Sequence, residues 1–209
     1  MIRSAVRLCR SALLAAVLAA VSTAFFPAWA QLGDILTAPK TLIDRAIEAR
    51  SASDIKKDNE IVIKVNQAMA DVGSVKASTE IYEQRLLVTG LFDDKATYDK
   101  FEKAVRAVKG VKRLYWHVTY LPKDEQEARR KAGTLMDWAD VLAMETKAKG
   151  RLIGTAGVAD VNFRVTGDAF GTLYLLGRAR SKEEQTKALA RAKDGEGVKK
   201  VVNYVEVRP

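Results

Sequence analysis

The sequence predicts an α+β protein of two small αββαβ modules, each a three-stranded mixed sheet with helices on one face, preceded by an N-terminal helical segment. Three observations carry this. Landmarks recur at a constant offset of 87: Leu86-Leu87-Val88-Thr89-Gly90 returns as Leu173-Tyr174-Leu175-Leu176-Gly177, and Lys109-Gly110-Val111-Lys112 returns as Glu196-Gly197-Val198-Lys199. No insertion separates the landmarks in either copy, so one unit is repeated in register through a strand, a helix and a second strand. Leu114, Trp116, Val118 and Tyr120 alternate with Tyr115, His117 and Thr119, the period of a strand. Helical spacing orders Ile55, Val62, Val65 and Met69, and again Tyr98, Phe101, Val105 and Val108.

In chain order, Arg3, Arg7 and Arg10 precede an uncharged apolar run from Ala12 to Phe26, followed by Pro27 and Ala28-Trp29-Ala30. A basic start, an apolar middle and small residues before Gln31 predict a cleaved signal peptide over 1–30 and a periplasmic protein. The competing reading, an uncleaved anchor, suffers from a run shorter than the roughly 20 residues of a membrane span. Cys9, the single cysteine, lies before the apolar run, whereas a lipoprotein carries its acylated cysteine just after it, so the protein is expected not to be a lipoprotein. Loss of three arginines lowers the formal charge of +9 by three, to +6. That excess favours polyanions in general; in an exported protein nucleic acid is not expected among them. The segment 31–53 belongs to neither repeat. Ile35, Leu36, Leu42, Ile43, Ala46 and Ile47 give it an apolar stripe broken by Pro39, open to two readings: a helix on the first module, or an adhesion or oligomer surface.

Within the first module, a helix is expected from about Ser53 to Ala70, then strands near Thr79–Tyr82 and Arg85–Thr89 joined by Glu83-Gln84, with Gly90 ending the second. Asp94 caps the next helix and Gly110 stops it. The last strand runs from Lys112 to Leu121. Pro122 to Gly133 is strongly charged and reads as a linker. The second module opens with a helix from Leu135 to Lys149, placing Leu135, Trp138, Leu142 and Glu145 on one line. Strands follow near Val161–Val165 and Thr172–Leu176. Ser181 and Glu184 form a capping box, the helix ends at Gly195 or Gly197, and Val201, Val205 and Val207 alternate on the final strand.

This order, with glycine closing the second strand and Gly-Val opening the third, resembles the BON domain (bacterial OsmY and nodulation). Leu86–Gly90 with Gly110-Val111 carries the resemblance in the first copy. Leu173–Gly177 with Gly197-Val198-Lys199-Lys200-Val201-Val202-Asn203 carries it more closely in the second, where Asn203 replaces Trp116. The expected layout is a BON-like domain at 54–121, a linker at 122–133 and a second BON-like domain at 134–209. The resemblance implies a non-enzymatic, exported protein that binds phospholipid or supports envelope integrity under stress. In two-domain members the first helix of the second domain is implicated in contacting anionic lipid.

The residues themselves offer little chemistry. His117 is the only histidine and, without cysteine or a serine-nucleophile motif, reads as structural or merely exposed; no enzyme, cofactor or metal site is expected. Gly167-Asp168-Ala169-Phe170-Gly171 lacks the lysine and helix of a phosphate loop and reads as a hairpin turn. Binding is the more informative direction. Arg129, Arg130 and Lys131 precede Trp138 and Leu142, and Lys147, Lys149 and Arg151 follow, the composition of a helix that engages an anionic membrane surface. The opposing reading has Trp138 and Leu142 packed on the sheet among solvated charges. The other partner expected is an envelope protein, for which the chain would act as an adaptor.

Overall fold

The computed structural model describes residues 47–73 and 76–209; the expected signal peptide and residues 31–46 lie outside them. Residues 47–209 form one compact unit. Its first half runs α1 (Ala52–Val72), β1 (Ala77–Tyr82), β2 (Arg85–Phe92), α2 (Lys95–Arg106) and β3 (Arg113–Tyr120). After α3 (Lys123–Lys131), the second half runs α4 (Trp138–Ile153), a 3-10 turn (Asp160–Asn162), β4 (Phe163–Gly167), β5 (Thr172–Ala179), α5 (Lys182–Lys193) and β6 (Lys200–Val207). β1 and β2 are antiparallel, as are β4 and β5, whereas β2 with β3 and β5 with β6 are parallel. Both sheets therefore have the expected mixed topology, β1-β2-β3 and β4-β5-β6.

The offset of 87 runs through the cores. Ile61, Val65, Leu86, Val88, Phe101, Val105 and Val118 are buried between helices and sheet in the first half. Their counterparts Ala148, Leu152, Leu173, Leu175, Ala188, Ala192 and Val205 are buried in the second. Trp116 stands against Tyr98 and Phe101, its indole donating to the Tyr98 hydroxyl at 3.1 Å. Where the first half has the rings of Tyr98, Phe101 and Trp116, the second has Gln185, Ala188 and Asn203.

The opposite faces of the two sheets meet each other, which the sequence left open. Tyr82, Leu87, Tyr174 and Leu176 are buried between them, flanked by Tyr115, Val202 and Tyr204. Leu87 and Tyr174, Tyr115 and Val202, and His117 and Tyr204 are offset-87 pairs, so each half presents the same face to the other. The layers run helices, sheet, sheet, helices, and every residue of β2 is buried because both its faces are covered.

Several elements depart from expectation. Gly90 and Gly177 do not end their strands, which continue to Phe92 and Ala179. They are glycines because neighbouring backbone crosses there: a Cβ would lie 2.7 Å from the Lys76 carbonyl oxygen at Gly90 and 2.0 Å from the Asn162 carbonyl oxygen at Gly177. The expected linker is mostly helix α3, with Asp124 and Glu125 in its first turn and Arg129, Arg130 and Lys131 in its last, matching the helix dipole. Buried Gln126 docks it by donating to the Leu121 carbonyl at 2.8 Å. α2 ends at Arg106 and α5 at Lys193, before the glycines expected to stop them. Ser181 caps α5, accepting from the Glu184 amide at 3.1 Å, but the Glu184 carboxylate accepts from the Arg180 and Ala159 amides instead of returning to Ser181.

Candidate functional site

Two buried carboxylates at equivalent positions brace the halves. Asp58, on the inner face of α1, accepts from the amides of Glu83 and Gln84 at 2.9 and 2.7 Å and from the Gln84 side-chain amide at 2.9 Å. Glu83 and Gln84 form the two-residue turn between β1 and β2 with φ of 52° and 62°, a left-handed conformation that favours Asn or Gly. Asp58 also pairs with Arg50 at 3.0 Å. Its counterpart Glu145 accepts from the Gly167 amide at 2.7 Å and the Thr166 hydroxyl at 2.9 Å; Thr166 in turn meets Thr89 of the facing sheet at 2.9 Å. Burial raises the Glu145 carboxyl above its usual range, against the lowering effect of those two donors. The expected hairpin turn at Gly167–Gly171 is present, with Asp168 accepting from the amides of Phe170 and Thr172.

His117 of the first sheet meets the second sheet. It stacks on Tyr174 at 4.2 Å, contacts the Tyr204 hydroxyl at 2.9 Å, and is held below its ordinary pKa by burial. Among the described residues no cluster of three His, Cys, Asp or Glu side chains is placed to hold a metal ion. None of the described helices is long and apolar enough to cross a membrane.

The candidate lipid-binding residues divide in two. Arg130 pairs with Asp137 at 2.8 Å, and Arg151 donates to the Arg191 and Ala192 carbonyls at 2.8 and 3.1 Å, near the C-terminus of α5. Those two guanidiniums are engaged within the protein. Arg129 is exposed but paired with Glu125 at 2.7 Å, and Lys131 is exposed. Lys147 is exposed and 3.9 Å from Glu196, whereas Lys149 reaches Glu80 of β1 at 2.8 Å and joins the halves.

On α4 the buried line is Val141, Met144, Glu145, Ala148 and Leu152, so the expected apolar line is rotated. Leu135 precedes the helix and is buried. Trp138 is half-buried against the cluster of Leu91, Leu121, Leu135, Val141 and Ala169. Leu142 is 42% exposed, and Ile153, beyond the helix expected from the sequence, is 55% exposed. At about 100° per residue, Trp138, Leu142, Lys149 and Ile153 fall within about 60° of one another on the helix, with Lys147 about 140° from Leu142. The spacing of Leu142 and Ile153, eleven residues or about three turns, is the signal that finds Ile153 once the helix is phased. Beside Ile153 a groove of about 280 Å³ is walled by Leu152, Phe163 and Val165, with Glu80, Lys149 and Arg164 among its polar residues.

Comparison with known proteins bears on the second half most directly. Over 152 residues the chain is 29% identical to an uncharacterized protein in the gshII 5′ region of Anaplasma centrale, covering 72% of this chain and 95% of that one. Among solved structures, CdsD, a structural protein of the type III secretion system of Chlamydia trachomatis, aligns over 72% of this chain and 93% of its own at 13% identity and a TM-score of 0.28. The C-terminal domain of CdsD aligns over 71% and 98% at 12% identity and a TM-score of 0.29. The sequence profile of the BON domain matches residues 140–209, which takes in α4 from its first turn through β6: the second half of this protein carries a BON domain.

Proposed function

We propose that the protein is an exported, non-enzymatic periplasmic factor of the cell envelope, built of two BON-like domains at 54–121 and 134–209. It engages anionic phospholipid peripherally through the exposed flank of α4 and contributes to envelope integrity under stress. One observation carries this reading: Leu142 and Ile153 stand exposed on one line of α4 with Lys149 between them. Lysine with aliphatic neighbours along one flank suits the boundary between headgroups and acyl chains.

The magnitudes fit reversible contact. Two part-exposed aliphatic side chains contribute about 1 kcal/mol each, since full burial is worth about 1.5–3. Lys149, released from Glu80, adds up to about 1 kcal/mol at low salt. A total near 3 kcal/mol corresponds to half-binding at about 6 mM accessible lipid.

Flotation with neutral and anionic vesicles tests this. Binding to anionic vesicles alone, weakened by salt and by Leu142→Asp or Ile153→Asp, is the expected result; binding that ignores both substitutions refutes it. An adaptor that docks an envelope protein on the same flank is the second reading, favoured by the apolar groove beside Ile153. It predicts a complex that both substitutions disrupt without any vesicle binding.

A further inference from the structure

Where the hairpin end of the first sheet meets the end of β6, Arg85, Lys112, Arg113 and Arg208 face a cleft of about 450 Å³ together with three carboxylates. Arg85 and Arg113 are register partners on β2 and β3, on the face turned toward the second sheet. Like charges placed opposite each other on neighbouring strands repel. Arg85 is buried, and its guanidinium is fixed by the Tyr204 and Gly177 carbonyls at 3.0 and 2.7 Å, with its Nε lacking a hydrogen-bond partner.

The three carboxylates do not balance this charge. Asp54 is engaged by the Ser51 hydroxyl at the start of α1, and Glu83 by Arg208. Glu206, 45% exposed, is shared between Arg85 at 3.2 Å and Arg208 at 3.3 Å. Lys112 and Arg113 are in no salt bridge among the described residues. Exposed Lys112 and Arg113, the latter 6.0 Å over the Tyr115 ring, thus stand before a fixed guanidinium whose only carboxylate partner among the described residues is a half-exposed side chain shared with a second arginine.

We infer that this cleft binds a phosphate group. Arg113 and Lys112 supply donors to its oxygens, the Arg85 charge lies behind them, and Glu206 is the internal anion that the ligand displaces. Phosphate suits the arrangement because several oxygens accept from separate guanidinium and ammonium donors at once. The chemistry is shared by a phospholipid headgroup and by free phosphate. The inference does not rest on the reading of α4, which lies elsewhere on the second half.

Titration of the purified protein with inorganic phosphate, followed by NMR against a chloride control, tests it. Saturable shifts at Lys112 and Arg113 are expected, with affinity falling tenfold or more in Lys112→Glu/Arg113→Glu. Glu206→Ala should bind severalfold more tightly, which a purely structural salt-bridge network does not predict. Absence of saturation up to about 10 mM, an affinity of only about 3 kcal/mol, or binding unchanged in the double variant, overturns the inference. Vesicles of phosphatidylglycerol separate the two sources. If the double variant also loses vesicle binding, the headgroup is the ligand; if it loses only inorganic phosphate, the ligand is free phosphate. Ile153→Asp should move vesicle binding and leave the phosphate titration unchanged, so failure of one reading is distinguishable from failure of the other.

Discussion

Removing the Asp58 carboxylate should destabilise the protein far more than a helix-surface acid would. Asp58 is 1% exposed and accepts three hydrogen bonds from the Glu83-Gln84 turn, besides its ion pair with Arg50. Hydrogen bonds to a charged acceptor are worth about 1.5–3 kcal/mol each, but these three share one acceptor and do not add fully. The turn also holds two non-glycine residues at positive φ, at about 1 kcal/mol each, and the carboxylate compensates for that strain. Asp58→Ala should therefore cost about 4 kcal/mol, a large share of the 5–15 kcal/mol that stabilises a typical domain. Asp58→Asn, which keeps one acceptor, should cost about half as much. Equilibrium urea denaturation followed by circular dichroism reads both. In the Asp58→Ala background, Glu83→Asn with Gln84→Gly should restore about 1–2 kcal/mol by supplying residues that accept the left-handed conformation. A loss under about 1 kcal/mol for Asp58→Ala, or no rescue by the Asn-Gly turn, would refute the reasoning.

Glu145 should behave differently from Asp58. Burial raises its folded pKa, so its charged form is disfavoured in the fold and the associated stability is lost as pH rises from 4.5 through the folded value. Glu145→Gln, which retains an acceptor for the Gly167 amide, should thus lie within about 1 kcal/mol of the parent at pH 7, while Glu145→Ala should cost about 2–3 kcal/mol in the same urea assay. For His117 the folded pKa is depressed from 6.5 by burial, with Lys200 adding to the lowering and Asp168 opposing it, as the ring stacks on Tyr174 and meets Tyr204. The unfolded chain takes up this proton first, so stability should fall below pH 6.5 by up to about 1.4 kcal/mol per pH unit until the folded value is reached. His117→Phe should flatten that region of a stability-against-pH curve. Arg151→Ala should lower stability by about 1–2 kcal/mol through the loss of its hydrogen bonds to the α5 carbonyls, yet leave vesicle flotation unchanged.

The fold was legible because the repeat constrained it twice. Leu114, Trp116 and Val118 alternate toward the helices as read, and Asp94 and Ser181 cap α2 and α5. The pairing of the two sheets was harder to see. The alternation puts Tyr115 and His117 on the other face of the strand without saying what covers it, although adjacent Leu86, Leu87 and Val88 already indicate burial on both sides. α3 carries no apolar stripe, since its helix rests on charge placement and one buried glutamine, so composition alone read it as a linker. Asp58 and Glu145 were passed over as bracing groups because a helical carboxylate ordinarily faces water; only the hairpin amides brought beside them explain their burial. On α4, including Leu135 in the helix shifted the apolar line by a fraction of a turn. It therefore hid the exposure of Ile153, on which, with Leu142, the functional reading depends.

That reading is tested most directly by an environment-sensitive fluorophore placed on the α4 flank at Ile153→Cys in the protein from Gln31 onward, which has no other thiol. A matched probe at Ile63→Cys, 68% exposed on α1 of the first half, serves as the reference. Addition of anionic vesicles at low salt should shift the Ile153→Cys emission to the blue and leave the Ile63→Cys emission unchanged. A shift at both sites, or at neither, would contradict membrane engagement through α4.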